Sequence, residues 1–229
     1  MSQLQYSIFH EVLFPNTDGD TNESDKSLQL AKILRYKPAL DAQIKEIPII
    51  VFDFETTGLD TRNDFLIEIG ALKTVNGHII DEFSTLIKPP IQLNSAIVSI
   101  TGISQEMLEN QPTISDKLPE FLNFIDGGIL AAHNADFDYP FLKTICEREG
   151  IQIDWPAFCT LKMARMILPN LESKSLDALA EHFNLTFESR HRSIGDCKVT
   201  SAVLQSMLQI NPSKYQEWES LANFTSKGG

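Results

Sequence analysis

The sequence predicts an α/β protein in which a mixed sheet is flanked by helices. Three observations carry this. The short runs PIIVFDFE and ILAAH, apolar and rich in β-branched and aromatic residues, read as buried strands. FLIEIGALKTV and HIIDEFSTLI flank Asn76-Gly77, the strongest short-range hairpin signal, so two antiparallel strands follow the first. Beyond them, strand and helix patterns alternate, which places helices against the sheet.

Taken in order, residues 1–46 read as an N-terminal extension. An apolar patch from Tyr6 to Phe14 leads into the polar stretch NTDGDTNESDKS, and Leu30, Ile33 and Leu34 then fall at helical spacing before Pro38. Asp18, Asp20 and Asn22 alternate as in a calcium loop, but Glu23 stands where that loop needs Gly and Gln29 where it needs Glu, so a solvated linker is the better reading. Residues 47–210 form the predicted catalytic domain. After the three strands, helical stretches around Ala96–Ile100 and Leu118–Ile125 are punctuated by Gly102, Pro112 and Gly127-Gly128. The strand of residues 129–133 leads into a helix from Phe137 to Glu149, ended by Gly150. Short helices follow, broken at Pro169 and Asn184, and a long one runs from about Ile194 to Leu208. Residues 211–229 are expected to form a C-terminal helix and tail.

Composition bounds the function. With 229 residues, 42% of them hydrophobic and 22% charged, the chain supports a sizeable core, and disorder is excluded. No apolar run approaches the roughly 18 residues of a membrane span, so no membrane partner is expected. Cys146, Cys159 and Cys197 are odd in number and far apart, which suggests neither a disulfide framework nor a zinc cage. No secretory leader is evident, and a cytoplasmic location is the expectation. A formal net charge of −12 argues against a groove binder that relies on lysines, but not against an enzyme that grips phosphates through bound cations. The location of the acids decides.

Side chains two apart in a strand share a face, so Asp53 and Glu55 project together while Phe52 and Phe54 point the other way. Paired carboxylates on an apolar strand repel unless a cation neutralises them. The alternative is a strand that ends at Phe52 and leaves both acids solvated. Thr56-Thr57-Gly58 adds hydroxyls and a tight turn at the strand end, where ligands of open α/β sheets bind. A second cluster, HNADFD at 133–138, puts Asp138 in the first turn of the next helix and leaves Asn134 able to donate to a phosphate or sugar oxygen. Asp136 and Asp138 equally suit a helix N-terminus with no further role. In the third, HRSIGD at 191–196, Ser193 and Asp196 fit an S-x-x-D capping pattern, placing the helix start at Ser193 and His191 on the loop before it. Here Asp196 as a mere cap, within a solvated cationic turn, is the competing reading.

In this order, DFETTGL, HNADFD and HRSIGD, with CTLKMARMILP and SLDALAEHF between the last two, resemble the histidine branch of the DEDD exonucleases, the family that contains the epsilon proofreading subunit of bacterial DNA polymerase III. The likeness covers about residues 47–210. It implies a ribonuclease H-like fold, two divalent cations (Mg2+ or Mn2+) and removal of nucleotides from a 3′ end. By position it makes Asp53, Glu55, Asp138 and Asp196 the metal ligands and His191 the general base. Thr56, Leu59, Asn134 and Phe137 match its substrate-contacting positions. Arg192 stands where the sister branch has a tyrosine, and Thr101 stands where the epsilon relatives have a histidine. The chemistry agrees, since hard carboxylate oxygens suit Mg2+ or Mn2+, and an imidazole with a pKa near 6.5 takes protons near neutral pH.

Arg165, Lys174, Arg190 and Arg192 are candidate phosphate contacts, with solvated charges as the alternative. His78, His133 and His182 need no catalytic role, and Cys159 reads as a small buried hydrophobe. The expected function is 3′–5′ hydrolysis of DNA ends in proofreading or repair. RNA 3′-end trimming and a non-catalytic binding module are the alternatives. Nucleic-acid 3′ ends, DNA favoured over RNA, are the expected partner, with a polymerase or a sliding clamp as further partners. Gln5-Tyr6-Ser7-Ile8-Phe9 loosely resembles clamp-binding peptides, although packing onto the core or a dimer contact is the better reading of Tyr6, Ile8, Phe9, Leu13 and Phe14.

Overall fold

A computed structural model describes residues 32–226. Among them a six-stranded mixed sheet runs in the order β4-β3-β2-β5-β7-β8. Its strands are β2 (Ile49–Thr56), β3 (Leu66–Val75), β4 (His78–Leu86), β5 (Ile129–Ala132), β7 (Ala157–Cys159) and β8 (Thr225–Ser226). β2 pairs antiparallel with β3 and parallel with β5, so it is central, flanked on one side by the hairpin and on the other by the crossover strand. The turn between β3 and β4 is the expected one. Asn76 and Gly77 both have positive φ, 50° and 77°, the requirement of a two-residue turn that matches strand twist.

The helices are α1 (Ser95–Thr101), α2 (Gln105–Leu108), α3 (Ile114–Ile125), α4 (Ala135–Arg148), α5 (Thr160–Ile167), α6 (Leu176–His182), α7 (Ser193–Ile210) and α8 (Trp218–Ala222). The alternation of β2 divides them between two cores. Ile50, Phe52 and Phe54 face α3 and α4, where Phe121 meets Phe54 and Phe83 at ring-centroid distances of 5.8 and 5.5 Å. Ile49 and Val51 face α7, against Val203, Leu204 and Met207. Burying side chains of this size contributes about 1.5–3 kcal/mol each relative to exposure. Asp53 and Glu55 continue the α7 face by the same alternation, so the first turn of α7 is brought over them.

Close approach of α7 to β3 depends on Gly70. A Cβ there would lie 2.5 Å from the Ser193 carbonyl carbon, nearer than real Cβ contacts come.

The segment before β2 departs from the sequence expectation. Lys32–Arg35 is a strand, β1, paired parallel with β6 (Ile151–Asp154), although Ile33 and Leu34 fall at helical spacing. A few apolar residues cannot distinguish the two periods, and here the partner strand decides. Leu34 and Ile153 are buried in the α3/α4 core, Tyr36 stacks on Trp155 at 5.9 Å, and Ile44 joins the other core. The apolar patch, the polar linker and the clamp-like peptide of residues 5–9 lie outside the described residues. At the other end the expected C-terminal helix is a single short one, α8, followed by β8. Among the described residues no helix is long and apolar enough to cross a membrane.

Candidate active site

Three carboxylates meet where β2 ends and α7 begins. Asp53, Glu55 and Asp196 each offer an oxygen, all within 4.8 Å of one another. Asp138 arrives from α4 and joins the end of β2, where its Oδ1 accepts a hydrogen bond from the Phe54 N–H at 3.1 Å. Burial raises every one of these pKa values, and for Asp53 and Glu55 neighbouring negative charge adds to it. Asp53 is held well above the carboxylate range by burial and then by Asp138, Glu55 and Asp196. Glu55 is pushed up to about 8, first by burial and then by Asp196, Glu68 and Asp138. Asp138 rises to about 7 through burial, against the lowering effect of the Phe54 N–H. Asp196 is raised by burial although Arg190 and His191 oppose it.

The start of α7 is not built by the expected cap. Arg192 occupies the N-cap with extended backbone, and Ser193 is the first helical residue, its buried hydroxyl without a partner among the described residues. Glu68 of β3 supplies the missing acceptor. Its buried carboxylate takes the Ser193 N–H at 2.8 Å and a fork of bonds from Arg192, Nη2 at 2.6 Å and Nε at 3.0 Å. Asp196 is therefore free of capping duty and reaches Asp53 and Glu55 across the helix start. His191 sits just before this clamp with φ 58°, a left-handed conformation that costs energy outside glycine and asparagine. The ring is exposed, and its Nδ1 lies 3.3 Å from a guanidinium nitrogen of Arg190, which has only protons to give.

Among the other predicted residues, Thr56 is buried and its hydroxyl donates to the Gly58 carbonyl at 2.5 Å, tightening the turn after β2. Thr57 donates to Asp64 at 2.8 Å, and Leu59 stands 83% exposed at the tip. Asn134 has left-handed backbone at the start of α4, and Phe137 packs on Phe141 at 5.2 Å. An open cleft of about 650 Å3 runs from Asp53 and Asp196 past Asn134 and His133 to Arg165, Lys174 and Arg190. Thr56, Leu59 and Phe137 do not line it.

Of the four candidate phosphate-binding cations, Arg192 is taken up by Glu68, and Lys174 donates to the carbonyls of Leu171 and Pro169. Arg190 is paired with Asp177 and Asp196, and Arg165 remains exposed in the cleft. His133, hydrogen-bonded to the Thr160 hydroxyl at 3.0 Å, is pushed down to about 4 by burial, consistent with a packed rather than titrating role. Glu68 and Asp177 were not singled out by sequence reasoning. Glu68 had a signal, a lone acid in the apolar alternation LIEIGAL, whereas Asp177 in a helical turn had none.

A cluster of carboxylates at the end of a central strand, beside a cleft, defines an α/β protein with a candidate cation site. Residues 50–204 match the RNase T family, described as Exonuclease. The chain is 42% identical over 187 residues to the PolC-type DNA polymerase III of Thermotoga petrophila and 34% identical over 168 residues to that of Bacillus subtilis, covering 79% and 72% of this chain. It spans only 14% and 12% of those relatives. Among solved structures, exonuclease X in complex with 5′ overhanging duplex DNA aligns with a TM-score of 0.62 at 25% identity, over 78% of this chain and 99% of that one. The nuclease domain of 3′hExo bound to rAMP, a DEDDh family member, shares the fold at a TM-score of 0.65 and 19% identity, over 74% of this chain and 96% of that one. The chain belongs to the DEDD superfamily of 3′–5′ exonucleases.

Proposed function

We propose that the protein is a metal-dependent 3′–5′ exonuclease that hydrolyses terminal phosphodiester bonds of DNA and releases nucleoside monophosphates. The observation that carries this reading is the convergence of Asp53, Glu55, Asp138 and Asp196, two half-buried and two buried acids whose pKa values are all raised. Such a cluster is costly unless cations neutralise it. The residues fit that occupant. Asp196 Oδ1 is buried with no hydrogen-bond partner among the described residues, the ligand oxygens of three of the acids lie within reach of one centre, and the donors are all hard carboxylate oxygens suited to Mg2+ or Mn2+. Two such cations, when bound, activate the attacking water and stabilise the leaving 3′ oxygen.

The chain's own residues do the rest. The carboxylates fix the reaction centre against the rigid end of β2. His191, exposed beside Asp196 on a turn held by Glu68, accepts the proton of the attacking water as general base. Asn134 reaches the substrate from the cleft, while Thr56, Leu59 and Phe137 contact the terminal nucleotide from the turn after β2 and the start of α4. DNA is the favoured substrate because the chain is similar in sequence to DNA polymerase III relatives, and exonuclease X is bound to DNA in its structure. The same likeness supports a polymerase as partner; a sliding clamp rests only on the resemblance of Gln5-Tyr6-Ser7-Ile8-Phe9 to clamp-binding peptides.

Degradation of 3′-unlabelled, 5′-labelled single-stranded DNA and RNA, side by side with Mg2+ or Mn2+, tests the reading. Stepwise shortening from the 3′ end, faster on DNA and absent in EDTA, is expected. Asp138→Ala abolishes it. Undiminished cleavage by that variant refutes the ligand assignment, and faster cleavage of RNA shifts the reading to 3′-end trimming.

A further inference from the structure

A guanidinium stands at the edge of the acid cluster, and its position is fixed from outside. Arg190 gives Asp177 on α6 a two-point fork, Nε to Oδ1 at 2.8 Å and Nη2 to Oδ2 at 3.0 Å. Its carbon centre also lies 5.0 Å from the ring centroid of Phe187, a cation–π distance. These contacts leave Nη1 to donate to Asp196 Oδ2. Asp196 thus has one oxygen engaged by a cation of the chain and the other, Oδ1, buried without a partner among the described residues. The Asp177 side chain is 60% exposed and that of Arg190 29%, so the anchor sits at the rim and the charge points inward. Arg190 also lines the cleft, together with Arg165 and Lys174.

We propose that Arg190 is a resident counter-cation, positioned by Asp177 and Phe187, that competes with a divalent cation for Asp196 until a substrate phosphate draws the guanidinium away. This rests on the divalent-cation reading above. The physical reasoning is direct. A fixed positive charge on one ligand repels an incoming dication and occupies one of its oxygens. A phosphate oxygen is the natural second acceptor for Nη1, replacing Asp196 while Asp177 keeps the fork. Cation binding and phosphate binding are then coupled, and each strengthens the other.

Calorimetric titration of Mn2+ into the full chain, with and without thymidine 5′-monophosphate, tests this without any turnover. Arg190→Gln removes the charge while keeping a side chain of similar reach, and it should bind Mn2+ about tenfold more tightly than the unaltered protein. Arg190→Lys, which keeps the charge but cannot make the fork, should fall between, and it carries the test if the Gln variant does not fold. Added nucleotide should narrow the gap, because only the unaltered protein has a guanidinium to release. Equal or weaker Mn2+ binding by Arg190→Gln overturns the proposal while leaving the cation reading standing, as does a gap that nucleotide leaves unchanged. If no variant binds Mn2+ at millimolar concentration, the cation reading itself fails, and this inference with it.

Discussion

Replacing Glu55 by Gln should stabilise the cation-free protein, and by an amount that depends on pH in a defined direction. The folded state pushes the Glu55 carboxyl from 4.5 up to about 8, so between those values the folded protein binds a proton that the unfolded chain does not. Stability therefore falls as pH rises through this window. The penalty is absent below about pH 4.5 and complete above about pH 8. Taken at face value the shift corresponds to at most about 5 kcal/mol. Glu55 is only partly buried and its titration is shared with Asp53, Asp138 and Asp196, so about 1–3 kcal/mol is the realistic effect. For a chain of this length that raises the melting temperature by roughly 2–10 °C. Gln keeps the shape and sheds the charge, so at pH 8 in EDTA the variant should melt later than the unaltered protein, and at pH 5 the two should nearly coincide. Saturating Mg2+ should reverse the order, since only the carboxylate gains from the cation. Thermal melts at the two pH values settle it. An Glu55→Gln variant that melts at or below the unaltered protein at pH 8 in EDTA would refute the reasoning, because the carboxylate would then not be a burden awaiting a cation.

Two further outcomes are expected. His191→Ala should lower turnover by about two to four orders of magnitude while leaving Mn2+ affinity within about threefold, and a loss confined to substrate affinity would make His191 a phosphate contact instead. Gly195→Ala should be destabilised by about 2–4 kcal/mol and lose most activity, because the added methyl overlaps the Ser189 carbonyl and displaces the turn that carries His191; a melting temperature within 1–2 °C of the original would show that the turn can give way.

The parts of this protein that could be read from its sequence are those fixed by contacts close in the chain. The β3–β4 turn is dictated by two residues with positive φ, and the pairing of Asp53 with Glu55 follows from strand alternation alone. The ordered clusters around Asp53, Asp138 and His191 gave the family through their spacing. What failed depended on partners far away. Lys32–Arg35 became a strand because Ile151–Asp154 offered it a ladder, more than a hundred residues on. β7 and β8 are too short to leave a period, and they exist because β5 and then β7 present open edges.

The misread cap is the instructive case for the site. Ser193 and Asp196 have the spacing of a local cap, and a local cap would have turned Asp196 back onto its own helix. Glu68, placed 125 residues earlier and beside Gly70, instead takes the Ser193 N–H and the Arg192 guanidinium together. That exchange frees Asp196 for the cluster and fixes the turn that presents His191. The geometry at the head of α7 is thus set by a carboxylate on a strand, through charge-assisted contacts in which the carboxylate is buried and the guanidinium partly exposed. The acids that face the cleft are recognisable by motif. The acid that frees Asp196 to join them leaves in the sequence only a lone charge in the apolar run LIEIGAL, and its role is legible from the fold.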